Sequence, residues 1–269
     1  MPLSIPMLTL APFTFALALT VWFSAFLMKA GPDWLIDLPA ERKIHNRPVP
    51  RTGGLAIGVI FFLSTFIFDL YNQLWWYLSG SVIIYILGAL DDYKPIRWKV
   101  KLVVQLIVAS IIIYRFLGEI ASVSFFSSNL NFSTVGLIAV FLIWFVGILN
   151  AVNLIDGMDG LAGGFLMLIT VFSMIIGFIN EANLFLTLNA SLLGALTGFL
   201  LFNRKPARYF MGDSGSLLLG YHVACLPLLY HQSMNGGAIL QITPFLILSS
   251  FLIMDTTRVF FSRAMRRQN

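Results

Sequence analysis

The sequence predicts an all-α fold, a polytopic membrane bundle of about nine transmembrane helices that forms a single domain over residues 1–269. Two observations support this prediction. Of the 269 residues, 58% are hydrophobic and 11% are charged, whereas a soluble domain carries roughly 25% charged residues. In addition, nine apolar runs recur along the chain, with most basic residues between them. A soluble protein would need a polar surface that this composition lacks. We also expect no nucleic-acid partner.

The nine runs account for the predicted helices in chain order. A bilayer core needs roughly 20 apolar residues in helical form, so the shorter runs must borrow flanking residues. We expect no lipid-exposed strand, because hydrocarbon leaves an open sheet edge without hydrogen-bond partners. The runs are Leu8–Met28, Leu55–Leu70, Leu74–Leu90, Val100–Leu117, Val135–Leu149, Leu161–Ile179, Leu184–Phe202, Ser216–Tyr230 and Ile239–Phe261.

The basic residues predict the orientation of this bundle. Sixteen of the 17 Lys and Arg residues fall on one side of the predicted membrane, and only Arg115 falls on the other. Because basic links face the cytoplasm, we expect the protein to lie in the cell membrane with its N-terminus outside the cell and its C-terminus in the cytoplasm. The sixteen are Lys29, Arg42, Lys43, Arg47, Arg51, Lys94, Arg97, Lys99, Lys101, Arg204, Lys205, Arg208, Arg258, Arg263, Arg266 and Arg267.

Five carboxylates converge on the same membrane face, which the charge rule does not require. Asp91 and Asp92 close the third predicted helix. As neighbours they point about 100° apart, so one can face a cleft while the other orients it. A helix C-terminus is unfavourable for anions on dipole grounds. The competing interpretation is the start of a solvated loop.

The stretch NAVNLIDGMDGLAGG carries polar side chains at every third position: Asn150, Asn153, Asp156 and Asp159. Spacing of three places neighbours on adjacent helix faces. Asparagine supplies neutral oxygens and donors, and aspartate supplies charged oxygens. The glycines beside them allow a ligand or another helix to approach closely. Small-residue helix packing explains the glycines but not the acids.

The stretch FMGDSGSLLLG places Asp213 and Ser214 directly before an apolar helix. Backbone N–H groups at such a helix start can bind phosphate. A carboxylate there suits Mg²⁺, which is usually held by one or two carboxylates and substrate phosphates. A simple helix cap is the alternative. The basic loop ERKIHNRPVPRTGG, with Arg51, can hold a lipid headgroup or a substrate phosphate, with plain surface charge as the alternative.

Together these residues predict Mg²⁺-dependent chemistry on a phosphorylated substrate, with a second reactant embedded in the lipid. The stretches RPVPRTGG, DDYKPIRWKVKLVVQ, NAVNLIDGMDGLAGG and FMGDSGSLLLG occur in this order. In that order and spacing they resemble the polyprenyl-phosphate N-acetylhexosamine-1-phosphate transferases, bacterial glycosyltransferases of family 4 type. The resemblance extends from Arg42 to the C-terminus.

The resemblance implies a glycosyl-1-phosphate transferase of EC 2.7.8 type. Such an enzyme moves a HexNAc-1-phosphate, here most simply GlcNAc-1-phosphate, from a UDP-sugar to undecaprenyl phosphate and releases UMP. This reaction is the first membrane step of cell-envelope glycan synthesis, such as O-antigen or teichoic acid. The implied cofactor is Mg²⁺, with Mn²⁺ as a substitute, and a homodimer is left open.

The resemblance also implies roles for individual residues. Asp91 and Asp92 are expected as the catalytic pair, with Asp156 and Asp159 contributing to catalysis or nucleotide contact. Asn153 and Asp213 are expected to bind the metal. The expected substrate contacts are Lys101, beside the acidic pair, and Asn150, Arg51 and Ser214.

One departure from the family pattern keeps alternatives open. The family carries a His-rich loop and further spans after the ninth helix, whereas this chain stops at Asn269. A truncated, non-catalytic membrane scaffold is therefore one alternative, and a transferase for a modified sugar such as FucNAc or QuiNAc is another. A transporter is disfavoured, because its ionisable residues would lie near mid-membrane rather than at helix ends.

Overall fold

The computed structural model describes residues 5–31, 36, 37 and 48–265. Within these residues nine helices follow one another, each covering most of one predicted apolar run. The helices are α1 (Ile5–Ala30), α2 (Gly53–Ile67), α3 (Tyr71–Tyr93), α4 (Trp98–Phe116), α5 (Thr134–Ile155), α6 (Leu161–Ile179), α7 (Asn183–Asn203), α8 (Gly212–Ser233) and α9 (Thr243–Met265). The strands are β1 (Ile36–Asp37), β2 (Val49–Pro50), β3 (Ser122–Phe125), β4 (Ser128–Asn131) and β5 (Ile239–Gln241).

Six of the described helices are long and apolar enough to cross a bilayer, namely α1, α3, α5, α6, α7 and α9. Helix α2 is apolar but has only 15 residues. Helices α4 and α8 are not among the six. Their first turns carry charged residues, which are Lys99 and Lys101 in α4 and Asp213 in α8. The predicted multi-pass, all-α membrane bundle is therefore confirmed in its coarse form.

Two predicted runs extend several residues beyond the helix that forms from them. Helix α2 ends at Ile67, and Asp69 then takes a left-handed backbone conformation with φ of 54°. The last predicted run begins as β5 and becomes helical only at Thr243. Pro244 favours that start, because proline suits the first turn of a helix, where its missing N–H has no partner to lose.

Strands at the ends of the bundle were not predicted. Strand β3 pairs antiparallel with β4 and parallel with β5, which gives the sheet order β4–β3–β5. This sheet joins the link after α4 to the link before α9. The pairing satisfies backbone groups that a lipid environment would leave without partners. Strands β1 and β2 form a second, two-stranded pair at the other end.

Helix α8 forms the centre of the bundle, and its residues from Ser214 to His231 are all buried. It packs mainly against α3 and α5. Small residues let these helices approach closely, as is usual between membrane helices. A Cβ at Gly220 would lie 2.9 Å from the Cα of Leu149 in α5. The position of α8 relative to α3 and α5 is therefore set by direct backbone approach.

Contacts between links show which helix ends lie together. Phe210, before α8, donates its N–H to the carbonyl of Pro50, before α2, at 2.8 Å. Gly160, before α6, donates its N–H to Oδ1 of Asn203, at the end of α7, at 3.0 Å. The starts of even-numbered helices and the ends of odd-numbered helices thus share one end of the bundle. The three-stranded sheet lies at the other end.

Several residues of the charge prediction lie outside the described residues. They are Arg42, Lys43, Arg47, Arg266 and Arg267. Residues 41–47, the first half of the predicted phosphate-binding loop, also lie outside, while Arg51 in its second half is described.

Candidate active site

Lys101 bridges two carboxylates that come from different helices. Its ammonium lies 2.9 Å from Oδ2 of Asp91 and 3.0 Å from Oδ2 of Asp213. Asp91 belongs to the last turn of α3, Lys101 to the first turn of α4, and Asp213 to the first turn of α8. The structure therefore joins three predicted site residues that lie up to 122 positions apart in the chain. Together with Asp92, they are called the carboxylate cluster below.

Asp91 uses both of its carboxylate oxygens. Oδ2 accepts a hydrogen bond from Lys101, and Oδ1 accepts one from the N–H of Ile96 at 2.6 Å. Charge-assisted hydrogen bonds of this kind favour the ionised carboxylate and fix its orientation. Ile96 lies in the short link between α3 and α4, so this contact also shapes the turn that returns the chain to Lys101.

Asp92 accepts two hydrogen bonds from the start of α8. Its Oδ1 lies 2.8 Å from the N–H of Asp213, and its Oδ2 lies 2.9 Å from the N–H of Ser214. A helix N-terminus carries unpaired N–H groups and positive partial charge, so it favours this anion. The unfavourable position of Asp92 at the end of α3 is thereby offset by its position at the start of α8.

Gly212 makes this contact possible. Its φ is +75°, and a Cβ there would lie 2.8 Å from both oxygens of Asp92. Glycine is the residue that adopts this conformation at low cost and leaves room for the carboxylate. The phosphate-binding role predicted for the start of α8 is not favoured. Ser214 is fully buried, and its N–H already binds Asp92.

Asn153 lies in the last turn of α5 and is oriented by α8. Its Nδ2 donates to Oγ of Ser216 at 2.9 Å. This bond leaves the carbonyl oxygen, Oδ1, as the atom of the amide that faces away from Ser216. Ser216 was not among the site residues predicted from the sequence. The signal available was its position three residues after Asp213, on the same side of a helix.

Asp156 is the first residue after α5, and it interacts electrostatically with several members of the site. Burial raises the pKa of Asp156 to about 7, and the charges of Asp213 and Asp92 act in the same direction. Arg51, just before α2, opposes them by favouring the ionised form. The carboxyl group of Asp156 therefore changes charge close to neutral pH.

Asn150 is paired with a residue that the sequence analysis missed. Its Nδ2 donates to Oε1 of Gln105 in α4 at 2.9 Å and to the carbonyl of Val146 at 2.8 Å. Gln105 is almost fully buried, whereas Asn150 is exposed. Gln105 follows Lys101 by one helical turn, which is the signal that would have pointed to it.

The carboxylate of Asp159 is engaged in a neighbouring link. Oδ2 of Asp159 accepts a hydrogen bond from the N–H of Ala207 at 3.0 Å. The predicted helical stripe ends before this point, because α5 stops at Ile155 and α6 starts at Leu161. Asp156 and Asp159 thus lie in a link rather than on a helix face, and Asp159 ties that link to the one between α7 and α8.

The donor set of the site fits a hard cation that also binds phosphate. Among the described residues, no group of three or more His, Cys, Asp or Glu side chains is placed to hold a metal alone. Mg²⁺ does not need such a group, because it usually combines one or two carboxylates with substrate phosphates. Oδ1 of Asn153 and the carboxylate of Asp213 are oxygen donors of the required kind.

Comparisons with known proteins follow the same part of the chain. The model of glycosyl transferase family 4 matches residues 74–231. The probable undecaprenyl-phosphate N-acetylglucosaminyl 1-phosphate transferase of Bacillus subtilis is 35% identical over 237 residues. That alignment covers 87% of this chain and 65% of the relative.

Two further relatives are similar to most of this chain. The undecaprenyl-phosphate alpha-N-acetylglucosaminyl 1-phosphate transferase of Thermotoga maritima is 33% identical, over 82% of this chain and 65% of its own length. The phospho-N-acetylmuramoyl-pentapeptide-transferase of Caldanaerobacter subterraneus is 33% identical, over 82% of this chain and 74% of its own length. The chain thus spans about 65% of the length of the first two relatives.

Proposed function

The chain belongs to glycosyl transferase family 4, and we propose that it transfers a sugar 1-phosphate from a UDP-sugar to undecaprenyl phosphate. In this reaction an oxygen of the lipid phosphate attacks the phosphorus that carries the sugar. The bond from that phosphorus to UMP breaks, and UMP leaves. The observation that carries the proposal is the carboxylate cluster, which three helices assemble at one end of a membrane bundle.

We propose GlcNAc-1-phosphate as the transferred group. The first two relatives are both named as N-acetylglucosaminyl 1-phosphate transferases. A relative named for the muramoyl-pentapeptide donor has an identity similar to theirs, so that donor is the second candidate. The expected product is the lipid-linked sugar that starts a cell-envelope glycan.

We propose that all nine helices cross the cell membrane, with the carboxylate cluster on the cytoplasmic side. The end of the bundle that carries the cluster also carries Arg51, Lys101, Arg204 and Lys205. Arg115, which pairs with Glu119, lies toward the three-stranded sheet at the other end. This distribution supports the cytoplasmic placement, because basic links stay on the inner side. A UDP-sugar made in the cytoplasm would then reach the site directly.

We propose Mg²⁺, replaceable by Mn²⁺, as the cofactor, with Asn153 and Asp213 as its protein ligands. When bound, it would neutralise charge on the diphosphate of the donor. The residues of the chain supply the remaining functions. Lys101 holds Asp91 and Asp213 in place and offers positive charge to phosphate, and Arg51 adds a second cation beside Asp156.

We assign Asp91 to orienting the acceptor and Asp92 to holding α8. Asp91 is already engaged through both oxygens, so it is poorly placed to take up a proton. Asp92 reaches the reaction only through the backbone of Asp213 and Ser214. In this assignment Asp92 is a positioning residue. Asp159 holds the link between α5 and α6 against the link between α7 and α8.

The test is an assay of the purified protein with undecaprenyl phosphate and a panel of donors. The panel contains UDP-GlcNAc, UDP-GalNAc and UDP-MurNAc-pentapeptide, with UMP release and lipid-linked product as readouts. We expect turnover with UDP-GlcNAc in the presence of Mg²⁺. Turnover with UDP-MurNAc-pentapeptide but not with UDP-GlcNAc would show that the muramoyl compound is the donor. A folded protein that releases no UMP from any donor would favour the scaffold alternative.

A further inference from the structure

The contact between Asn153 and Ser216 joins α5 to α8. Ser216 is fully buried in the first turns of α8, and Asn153 closes α5. The two helices remain in tight contact one turn further along, where Gly220 faces the backbone of Leu149. The hydrogen bond of 2.9 Å therefore lies within a rigid crossing of two helices.

We propose that Ser216 is a positioning residue for the cation site, acting through the side-chain amide of Asn153. This proposal rests on the proposed function, because it assumes that Oδ1 of Asn153 binds the metal. The amide of asparagine can present either its oxygen or its NH₂ group to a neighbour. In the structure Nδ2 of Asn153 donates to Ser216, and this pairing leaves the amide oxygen turned toward the proposed cation.

The arrangement along α8 strengthens this argument. Asp213 and Ser216 are three residues apart, so they lie on neighbouring positions of one helical face. A single turn of α8 thus carries one proposed metal ligand and orients the other. Asp92 holds the same turn through the N–H groups of Asp213 and Ser214. A change at Ser216 would leave these contacts of Asp213 in place and alter only the amide of Asn153.

The test measures Mn²⁺ binding directly, by electron paramagnetic resonance of the purified full chain. The probes are Mn²⁺ alone and Mn²⁺ with UDP, since a diphosphate supplies the remaining ligands. Loss of a group that orients a metal ligand typically costs 10–100-fold in metal affinity. We expect Ser216→Ala to weaken Mn²⁺ binding by roughly this factor, and Ser216→Thr, which keeps the hydroxyl, to bind within about threefold of the unchanged protein.

A double-mutant cycle shows whether Ser216 acts through Asn153. If it does, Ser216→Ala should add little to the loss already caused by Asn153→Ala. Ser81→Ala is the matched control. Ser81 is also a buried serine in a membrane helix, and its hydroxyl donates to the carbonyl of Leu78 in the same helix. We expect this control to leave Mn²⁺ affinity unchanged.

Several outcomes would overturn the proposal. They are unchanged Mn²⁺ affinity in Ser216→Ala, additive losses in the cycle, or no Mn²⁺ binding by the unchanged protein with either probe. If Ser216→Ala does not fold, Ser216→Cys keeps the volume but offers a poor acceptor, and the same loss is expected. The binding assay contains no sugar donor or lipid. Absence of UMP release would therefore contradict the proposed reaction without affecting this result.

Discussion

Asp91 is a carboxylate whose two oxygens accept hydrogen bonds from Lys101 and from the N–H of Ile96. A phosphate monoester has its second pKa at about 6, so at neutral pH most of the proposed lipid acceptor carries no proton to remove. Both facts favour orientation over proton transfer as the role of Asp91. Misplacement of reacting groups by about 1 Å can cost about 10²-fold in rate, which is sufficient for a strong phenotype.

We therefore predict that Asp91→Asn lowers turnover by about 10²-fold or more at every pH between 6 and 9. The measurement is UMP release at saturating donor and Mg²⁺ across that range. A base role predicts a different curve, because the acceptor ionises unaided at high pH. Recovery of the variant to near-normal turnover at pH 8.5 would therefore refute the orienting role.

We expect Asp156 to make binding of the proposed cation depend on pH. Its pKa is raised to about 7 by burial, together with the charges of Asp213 and Asp92. The protonated form predominates below that pKa and the carboxylate above it. A bound cation favours the carboxylate, so binding below pH 7 must displace a proton.

We predict that the affinity for Mn²⁺ rises with pH by up to about tenfold per unit between pH 6 and pH 7 and levels off above pH 8. Asp156→Asn should bind more weakly at pH 8 and show a smaller slope between pH 6.5 and 7.5. Titrations by electron paramagnetic resonance measure both quantities. An identical slope in the variant would assign the pH dependence to another group.

At the scale of elements, the approach of α3 to α8 is set by Gly88. A Cβ on Gly88 would lie 2.6 Å from the Cα of Ser214 and would also meet the carbonyl oxygen of Asp213. Both atoms are backbone, so the clash can be relieved only by moving one helix. Such a movement would also pull Asp92 away from the N–H groups that it binds.

We predict that Gly88→Ala lowers the Tm by roughly 5 °C, since overpacking a close contact costs about 1–3 kcal/mol. It should also reduce turnover, because the carboxylate cluster spans this contact. Gly147→Ala is the control. Gly147 lies inside α5, where an added Cβ meets nothing within 4 Å. Alanine also favours the helix at that position. Equal effects of the two substitutions would contradict this account of the α3–α8 contact.

At the scale of the whole molecule, the two ends of the bundle differ in charge and in structure. The end with the carboxylate cluster gathers basic links, which contact one another through pairs such as Phe210 with Pro50. The other end is closed by the sheet of β3, β4 and β5. Only one placement in a membrane agrees with the rule that basic links remain inside.

We predict that reporter fusions in the link at residues 204–210 will be cytoplasmic and that fusions in the β3–β4 turn at residues 126–127 will be external. The predicted contrast follows from the sequence, in which 16 of the 17 Lys and Arg residues fall on one side of the predicted membrane. Cysteine accessibility in intact cells gives a second measurement at the same positions. External labelling at residues 204–210 would invert the topology and move the proposed site away from cytoplasmic donors.

The sequence by itself determined the class of the molecule. Hydropathy and charge are carried by each residue, so summing them along the chain located the helices and showed the asymmetry of the basic links. The same procedure predicted that five aspartates lie at one membrane face, namely Asp91, Asp92, Asp156, Asp159 and Asp213. It could not decide which of them meet, because that depends on how the helix ends come together.

Only the tertiary structure decided the partner of each polar group. It directed Asp92 to the start of α8, Asp159 to the link at Ala207, and Asn153 to Ser216. It also introduced the sheet at the far end, whose strands of three or four residues are too short for a hydropathy pattern to detect. The physical reason is the short range of the hydrogen bond. A hydrogen bond forms only near 3 Å, so its formation depends on helix packing and link geometry rather than on local composition.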